Sequence, residues 1–390
     1  MKVLFLVRQL NIGGAERQVV IVANELASRG HEVVITSFYT GGALSKQLDL
    51  GRVRLLSLEK RSRWDLFSMY AKLLRIVRQE RPDVLHGWMH TQNVIATTIR
   101  LFFPKVKLFW CVRASNLEIV LDPVERVLVW LQARLSVFAD CVVVNSMAGL
   151  DFAASRGTAR DKMVFIPNGI DTNAFYPSQA EGEHVRAEWG IGDDLKIIGK
   201  VARFDPIKNH PLFLKAAARL AAERPDVRFV CVGHGDAAYL QQLQELTRTL
   251  GIENKVQWVQ ARGDVRAIYN ALDIFCSASS SEGFPNVVGE AMACARHCVV
   301  TDVGDSKFLV GATGLTVPSD DVEALATALR ETLDGSPLNL RARQRILENF
   351  TVAHLGDKTE QVLVRSLEGR DRRTAPALGH PEEARPRADA

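Results

Sequence analysis

The chain has 390 residues, of which 47% are hydrophobic and 24% are charged, and its formal net charge is +4. This length fits two domains of ordinary size, each with enough apolar residues for its own core. The charge is too small to predict a nucleic-acid partner, and no uninterrupted apolar run is long enough to predict a membrane-spanning helix.

Short apolar runs alternate with amphipathic stretches through the first half of the chain. Residues 2–7 are expected to form a first strand rather than a signal peptide, because glycine and acidic residues follow at once and no small-residue cleavage site appears. The helix after them is predicted to end at Gly30. Further strands are predicted in HEVVITSF, PDVLHGW, KLFWCVRA and DCVVVNS. This alternation is typical of a parallel sheet covered on both faces.

The pattern breaks at MVFIPNGIDTNAFYP, whose turn residues predict a linker. Strands restart with LKIIGKVARF, VRFVCVGHG, KVQWVQ, DIFCSASS and HCVVTD. We therefore predict an α/β protein with two Rossmann-like doubly wound parallel-sheet domains, residues 1–172 and 173–350, that face each other across a cleft. Ligands of such sheets bind beyond the carboxyl ends of the strands, so the cleft is the expected site. Residues 369–390 are rich in charge, alanine and proline, and predict a disordered tail.

The six cysteines are scattered and mostly lie in apolar runs, which indicates reduced thiols in a reducing, cytoplasmic compartment. Cys294, His297 and Cys298 could share one helical turn. A structural zinc site needs about four ligands, however, and no second cluster supplies them. The sequence therefore predicts no metal site.

Arg203 and Lys208 lie in VARFDPIKNHPLFLKAA, between a predicted strand and a predicted helix. Their loop is at the carboxyl end of the strand, where a ligand would arrive. Two solvated loop cations are the commoner explanation for such a pair. A planar guanidinium and a compact ammonium are nevertheless what a diphosphate requires.

The stretch SEGFPNVVGEAMACA predicts a bend followed by a helix that runs to Ala295, with Pro285 in its first turn. The N–H groups and the positive dipole end of this helix predict a phosphate-binding position. Candidate donor contacts at this junction are Phe284, Pro285, Asn286 and Val287.

Glu282 and Glu290 flank the same junction. A retaining glycoside hydrolase needs its two carboxyl groups about 5 Å apart, whereas eight residues of a helix span about 12 Å. The spacing instead favours two carboxylates that grip different parts of one long ligand. One would accept hydrogen bonds from sugar hydroxyls and the other from ribose hydroxyls, with a diphosphate between them.

Two further glycine motifs follow predicted strands. Gly13 and Gly14 lie in the first strand-to-helix turn, where they allow either a tight turn or the close approach of a ligand. Gly233 and Gly235 match a dinucleotide-binding fingerprint. Their place in the middle of the second half, and the crowding that Asp236 would cause at a pyrophosphate, argue against dinucleotide binding.

Taken together, these motifs resemble the GT-B glycosyltransferases of retaining family 4, over roughly residues 1–366. The hallmark of that family is Glu, seven residues and Glu before AMA, which here runs from Glu282 to Glu290. Also similar are GGAER, IPNGID, the pair of cations, VGHGD, and TDVGDSKFLVGATGLTVPSDDVEALATAL. The resemblance implies that Arg203 and Lys208 hold the donor diphosphate. It also implies that the first glutamate contacts the transferred sugar and the second the ribose.

By the same resemblance, Gly13 and Gly14 would approach the donor from the first domain, and a helix over 351–368 would cross back onto that domain. Members of the family retain the anomeric configuration and generally need neither metal nor another cofactor. Two positions depart from the family pattern. Relatives often carry histidine where this chain has Arg113, and glycine where it has Gln260.

The acceptor side is less defined by the sequence. Because Arg113 stands where relatives have histidine, and His86 follows a different predicted strand, both residues are acceptor-side candidates. Arg113 could instead stabilise the leaving phosphate. The segments FFPKVKLFW and ERVLVWLQARL mix bulky apolar residues with cations. They are compatible with contact to the inner, anionic face of the cytoplasmic membrane and equally with core helices.

We therefore predict a retaining transferase that moves a sugar from a nucleotide-sugar, chiefly a UDP-sugar, to a hydroxyl of a glycan or lipid-linked acceptor. The expected context is the biosynthesis of cell-surface polysaccharide or lipopolysaccharide. One alternative is an epimerase or hydrolase of nucleotide-sugars with the same fold. Another is a catalytically inactive nucleotide-sugar-binding protein.

Overall fold

The structure, a computed structural model, describes three ranges of the chain: residues 1–62, 65–113 and 123–369. The chain divides into two compact domains. Of the described residues, the N-terminal domain comprises those of Met1–Gly169 and those from Val352 to residue 369, and the second domain comprises Ile170–Thr351. Of the tail predicted over residues 369–390, residues 370–390 lie outside the described residues.

A seven-stranded parallel sheet forms the centre of the N-terminal domain. Its strands are β1 (Lys2–Val7), β2 (Glu32–Ser37), β3 (Val53–Ser57), β4 (Val84–Trp88), β5 (Lys107–Val112), β6 (Cys141–Val144) and β7 (Met163–Phe165). Their order is β3-β2-β1-β4-β5-β6-β7. Helices of this part of the chain are α1 (Gly14–Ser28), α2 (Leu66–Glu80), α3 (His90–Arg100), α4 (Pro123–Leu135) and α5 (Met147–Ser155).

The alternation of side chains along β1 shows why this strand is apolar throughout. Val3 and Phe5 point into a core shared with α1, whereas Leu4 and Leu6 point into a core shared with α2. Successive strand residues face opposite sides of a sheet, so a strand with helices on both sides needs apolar residues at every position.

A six-stranded parallel sheet forms the centre of the second domain, in the order β10-β9-β8-β11-β12-β13. The strands are β8 (Lys196–Val201), β9 (Val227–Gly233), β10 (Val256–Gln260), β11 (Ile274–Ser277), β12 (His297–Thr301) and β13 (Leu315–Val317). The helices are α6 (Gln179–Trp189), α7 (His210–Glu223), α8 (Ala237–Thr249), α9 (Val265–Ala271), α10 (Asn286–Ala293), α11 (Ser306–Val310), α12 (Val322–Leu333) and α13 (Leu340–Asn349).

Strand order reverses between β8 and β11, because the chain leaves β8 toward β9 and returns to pair β11 on the other side of β8. In doubly wound sheets, ligands bind outside the carboxyl ends of the strands at such a reversal. The corresponding point in the N-terminal sheet lies between β1 and β4. Each sheet therefore has one such reversal point, where a ligand is expected at the carboxyl ends of the strands.

The last helix, α14 (Val352–Leu367), belongs to the N-terminal domain and packs against α1. Arg29, just beyond α1, forms ion pairs with Asp357 at 2.6 Å and Glu360 at 3.0 Å. Gly356 provides room for this contact, since a Cβ atom there would lie 2.4 Å from the side chain of Glu25.

The predicted fold class of two doubly wound parallel-sheet domains is confirmed. Three strands, β3, β7 and β13, were not predicted. Pro285 precedes α10 instead of lying in its first turn, and the helix ends at Ala293 instead of Ala295. Ala295 has a φ of 56°, a left-handed conformation that a helix does not continue through. Among the described residues, no helix is long and apolar enough to cross a membrane.

Candidate active site

The loop between β8 and α7 carries Arg203 and Lys208 to the carboxyl edge of the second sheet. A short 3₁₀ turn shapes this loop, and the side chain of Asp205 accepts a hydrogen bond from the Ile207 N–H at 3.0 Å. Asn209 then adopts a left-handed φ of 47° and caps α7 with its side chain. Local hydrogen bonds therefore fix the backbone that presents both cations.

The two glycines of VGHGD support the same loop. A Cβ atom at Gly233 would lie 2.0 Å from the Ala202 carbonyl oxygen, and one at Gly235 would lie 2.3 Å from the Phe204 carbonyl oxygen. Phe204 N–H also donates to the His234 carbonyl at 2.8 Å. These glycines therefore allow the close approach of two loops, and this packing explains the motif without a dinucleotide.

The loop after β11 is tied to its neighbours by backbone contacts. Ser280 N–H donates to the Ile207 carbonyl at 2.9 Å, which joins this loop to the loop after β8. The Thr301 hydroxyl donates to the Ser279 carbonyl at 2.6 Å, which joins it to the end of β12. Glu282 is thus placed by a loop that is held from both sides.

Lys208 and Glu282 meet although 74 residues separate them in the chain. Lys208 Nζ lies 2.6 Å from Glu282 Oε1, and the Ser279 hydroxyl donates to the same oxygen at 2.7 Å. The side chains of Lys208 and Glu282 are 20% and 11% exposed. An ion pair shielded from water to this degree interacts more strongly than a surface pair. The structure therefore brings together two of the three predicted catalytic residues.

Arg203 lies apart from this pair. Its side chain is 63% exposed, and its guanidinium lies 3.5 Å from the Asp205 carboxylate. An exposed arginine with a single weak ion pair retains freedom to turn toward a ligand. The structure places it on the correct loop without fixing the direction of its guanidinium.

Glu290 lies inside α10 and is buried. The fully buried Tyr269, on α9, donates a hydrogen bond from its hydroxyl to Glu290 Oε2 at 3.0 Å. Tyr269 was not predicted as a site residue, because nothing in its surrounding sequence distinguishes a tyrosine that contacts Glu290 from an ordinary core tyrosine.

The four predicted donor contacts before and within α10 differ in their surroundings. Phe284 is a core residue whose ring centroid lies 5.8 Å from that of Phe350, so its side chain faces the interior and not a ligand. Pro285 is also buried, whereas Asn286 and Val287 are half-buried at the start of the helix. Asn286 and Val287 are placed to offer backbone N–H groups at the helix N-terminus, and the contact of all four residues with a donor stays a prediction.

In the N-terminal domain, Gly13 precedes α1 in an extended conformation and Gly14 begins the helix. A Cβ atom at Gly13 would lie 2.2 Å from Glu16 Oε2, which is the flexible end of a side chain. Glu16 also lines a pocket of about 230 Å³, together with Arg8 and His90, at the carboxyl ends of β1 and β4. The approach of the two glycines to a donor stays a prediction.

His86 is a core residue, which corrects its assignment to the acceptor side. Its ring stacks on Phe5 with centroids 5.1 Å apart and lies 5.8 Å from the ring of Phe109. Burial lowers the pKa of His86 to about 3, so the imidazole is neutral at physiological pH. His86 lies within β4, an inner strand whose five residues are all buried. The sequence VLHGWMH does not by itself show that this histidine is buried.

Arg113 directly follows the carboxyl end of β5, an inner strand of the N-terminal sheet. Its guanidinium lies 4.3 Å from the centroid of the Trp88 ring, a cation–π distance, and it donates to Asn168 in the linker segment. Trp88 in turn donates to the Ala15 carbonyl at 3.0 Å. Arg113 therefore connects the ends of two strands, the start of α1 and the linker segment within one domain.

The metal prediction concerned Cys294, His297 and Cys298. Within the described parts of the chain, no group of three or more His, Cys, Asp and Glu side chains is arranged to hold a metal ion. Burial raises the pKa of Cys294 to about 12 and that of Cys298 even further, so both are neutral thiols.

Solved structures with the same fold include Anabaena Alr3699/HepE in complex with UDP. That chain superposes with a TM-score of 0.81 at 22% identity, and the match covers 93% of this chain and 100% of HepE. A second example is a glycosyltransferase from Rickettsia africae, with a TM-score of 0.78 at 21% identity over 94% and 98% of the two chains. At these identities the likeness shows the fold alone.

Curated relatives are similar in sequence over different spans. The D-inositol 3-phosphate glycosyltransferase of Mycolicibacterium smegmatis is 32% identical over 228 residues, which cover 56% of this chain and 51% of the relative. An α-1,4-N-acetyl-D-galactosaminyltransferase of Campylobacter jejuni that acts on an undecaprenol-linked saccharide is 26% identical over 92% of this chain and 97% of the relative. The chain thus spans only 51% of the length of the first enzyme and 60% of Bacillus subtilis EpsF.

Two family models match consecutive parts of the chain. Glycosyltransferase Family 4 matches residues 12–174, which include Gly13, Gly14 and Arg113. Glycosyl transferases group 1 matches residues 195–335, which include the ion pair of the second domain. Because the two models match successive segments and the relatives are glycosyltransferases, this chain belongs to the group 1, family 4 glycosyltransferases.

Proposed function

We propose that this chain is a retaining glycosyltransferase that moves a sugar from a UDP-sugar to a hydroxyl group of a glycan or lipid-linked acceptor. The observation that carries the proposal is the ion pair of Lys208 and Glu282 at the strand reversal of the second sheet, next to the N-terminus of α10. The UDP complex of HepE and the undecaprenol-linked substrate in the name of the Campylobacter relative support the classes of donor and acceptor.

The chemical requirement of such a reaction is a good leaving group. Negative charge grows on the diphosphate as its bond to the anomeric carbon breaks. Arg203, Lys208 and the N-terminus of α10 all offer positive charge or N–H donors on one edge of the sheet. Preorganised donors of this kind lower the barrier without reorganisation during the reaction.

The two carboxylates would secure the ends of the donor. Glu282 would accept hydrogen bonds from hydroxyls of the transferred sugar, and Glu290 from the ribose hydroxyls. The hydroxyl of Tyr269 fixes one oxygen of Glu290 and thereby orients the carboxylate. We include no metal ion in this mechanism, because lysine, arginine and a helix N-terminus supply the required positive charge. The expected result of adding EDTA is an unchanged rate.

The membrane contact proposed for the acceptor side rests on α4. Val124, Val127 and Trp130 are 51%, 60% and 58% exposed. Arg134, on the same helix, has its guanidinium 5.7 Å from the centroid of the Trp130 ring. An exposed apolar stripe with arginines suits the interface of an anionic membrane. This position at the inner face of the cytoplasmic membrane would fit the synthesis of polysaccharide or lipopolysaccharide.

Co-sedimentation with vesicles tests the membrane contact. Vesicles that contain anionic lipid should bind the wild type at low salt, and the variant V127S/W130S should bind much less. Binding that is equal for both proteins, or absent at low salt, would contradict this part of the proposal. Neutral vesicles are the control for the electrostatic contribution.

Product analysis tests the reaction itself. The purified protein is incubated with a panel of UDP-sugars and undecaprenol-linked or free glycan acceptors, and UDP release and glycoside formation are measured together. Transfer gives both products, hydrolysis gives UDP and free sugar, and epimerisation releases no UDP. The anomeric coupling constant of the product in the proton NMR spectrum distinguishes retention from inversion.

A further inference from the structure

A groove lies at the amino edge of the N-terminal sheet, where β4 and β5 begin. It is lined from the segments 77–83 and 102–106 and by Leu367, and we call it the amino-edge groove. Its volume is about 540 Å³, which is within the range of cavities that hold small ligands. The candidate catalytic residues follow the carboxyl ends of strands in the other domain, so this groove is separate from the candidate active site.

The floor and part of the rim of the amino-edge groove are apolar. Val77 and Val106 are buried core residues, and Phe103 packs against the same core. Phe102 and Leu367 are 62% and 37% exposed. The groove therefore presents an apolar surface that the protein itself covers only in part.

Backbone contacts fix both segments that line the groove. The Val106 N–H donates to the Phe103 carbonyl at 3.0 Å, and the Arg100 guanidinium donates to the Val106 carbonyl at 3.2 Å. Arg81 follows α2, and its N–H donates to the Val77 carbonyl at 3.0 Å. A groove that is formed before its ligand arrives loses little conformational entropy on binding.

Three cations border the groove. Arg78 and Arg81 lie at the end of α2, and Lys105 lies in the turn before β5. All three are exposed, and among the described residues none of them takes part in an ion pair or a side-chain hydrogen bond. Cations at the end of a helix interact favourably with its negative dipole end. This interaction accounts for the two arginines but not for Lys105.

The neighbouring carboxylates are engaged by other groups. Glu80 forms ion pairs with Arg54 at 2.8 Å and with Lys2 at 3.6 Å. The Asp83 carboxylate accepts a hydrogen bond from the backbone N–H of Lys2 at 2.7 Å. The groove thus combines an apolar floor with an unbalanced positive charge, and this combination is complementary to an anionic amphiphile.

We propose that the amino-edge groove binds one anionic phospholipid, with an acyl chain on the apolar floor and the phosphate held by Arg78, Arg81 and Lys105. Guanidinium and ammonium groups both bind phosphate. An acyl chain needs no hydrogen bonds, whereas a peptide would bring N–H and C=O groups for which an apolar floor offers no partners. The inference goes beyond the proposed contact of α4, which involves other residues, and it does not depend on the transfer reaction.

Calorimetry with a soluble phospholipid tests the site. The probe is dihexanoyl phosphatidylglycerol below its critical micelle concentration. Glycerol phosphate supplies the head group alone, and octyl glucoside supplies an apolar chain without charge. We expect the phospholipid to bind about tenfold or more tightly than either, because it alone uses both the cations and the floor. Equal binding of glycerol phosphate would indicate a simple anion site, equal binding of octyl glucoside an uncharged apolar groove, and either result would overturn the inference.

Substitutions in the groove locate the site. R78Q/R81Q/K105Q should bind the phospholipid about tenfold or more weakly than the wild type, since each cation near an anionic lipid contributes about fivefold. K105Q tests the charge without a change at a helix end, and F102S tests the apolar rim; both should lower the affinity. Unchanged affinity of the triple variant, or of K105Q if the triple variant does not fold, would overturn the inference.

Two control variants separate this site from other surfaces. K46Q/R52Q/R75Q removes three exposed cations of the same domain that do not line the groove, and it should bind as the wild type does. V127S/W130S should also bind the soluble phospholipid normally, so a failure of the α4 contact can be told from a failure of the groove. Tighter binding of an acidic amphipathic peptide of leucine and glutamate would assign the groove to a protein partner and contradict the proposal.

Discussion

The two domains each contain a buried histidine close to the carboxyl edge of a parallel sheet, and the surroundings of the two rings differ. His86, in the N-terminal domain, stacks on Phe5, and its Nδ1 lies 3.1 Å from the Gly87 carbonyl oxygen. His210, in the second domain, lies near Lys200 and Lys208, and neither of its ring nitrogens has a partner among the described residues.

The two domains also differ in the polar groups that lie near the ends of their central strands. In the N-terminal domain, Trp88, Arg113 and Asn168 satisfy one another by stacking and hydrogen bonding. In the second domain, Lys200 is buried at the end of β8, and both ring nitrogens of the buried His210 lack a hydrogen-bond partner among the described residues. The buried lysine and the unpartnered histidine thus lie next to the loop that carries Lys208, in the domain that we propose to hold the donor.

The largest expected effect is the loss of Lys208. K208A should lower kcat/KM at least a hundredfold, or by about 3 kcal/mol of transition-state stabilisation, because it removes a cation from the departing diphosphate. R203A should cause a loss of the same order. Steady-state kinetics with the best UDP-sugar provide the measurement. K215A, an exposed lysine on α7, is the control, and a similar loss in it would indicate a general change in charge instead.

Gly235 gives a test of the loop that presents the cations. In G235A, the added Cβ atom would lie 2.3 Å from the Phe204 carbonyl oxygen. This distance is too short, so the loop after β8 has to move. We expect about a tenfold loss of kcat/KM, since a small misplacement of positioned groups is costly for catalysis. G263A is the matched control, because a Cβ atom there meets nothing within 4 Å. Equal activity of the two variants would contradict this role of VGHGD.

Acid should destabilise both domains through their buried histidines. The folded-state pKa values of about 3 for His86 and about 2 for His210 lie below the ordinary value of 6.5. Below pH 6.5, these two histidines therefore bind protons in the unfolded chain but not in the folded chain. Their contribution to the free energy of unfolding is fully present above pH 6.5 and falls as the pH drops below it. At pH 5 the loss should be about 2 kcal/mol for each histidine.

Hydrogen exchange read separately for the two domains at pH 5 and pH 7 distinguishes the two histidines. H86F should reduce the acid-dependent loss in the N-terminal domain only, and H210F in the second domain only. A loss at pH 5 that neither substitution changes would assign the acid sensitivity to other groups.

The smallest expected effect on catalysis is that of Tyr269. Y269F removes the donor to Glu290 Oε2 and leaves the ring in place, which should lower stability by about 1–3 kcal/mol and raise the KM for the donor with little change in kcat. Thermal unfolding and steady-state kinetics measure the two effects. Y176F, at a partly exposed tyrosine, is the control. A fall in kcat without a change in KM would argue against the ribose contact of Glu290.

The sequence predicted the central strands and one edge strand, β10, but it missed the other three edge strands. β1 and β8 are buried on both faces, so their apolar runs are continuous and easily recognised. The three strands that were not predicted, β3, β7 and β13, all lie at an edge of a sheet and contain partly exposed residues. An edge strand needs less apolar surface, and its sequence therefore resembles that of a loop.

Residue patterns alone determined the alternation of strands and helices, the division into two domains, and the loop and helix start that carry Lys208 and Glu282. Only the tertiary structure decided that these two side chains form an ion pair, that Tyr269 holds Glu290, and that His86 belongs to the core. The physical reason is that periodicity and turn chemistry act between neighbours in the chain. Pairing and burial, in contrast, depend on contacts between residues that are tens of positions apart.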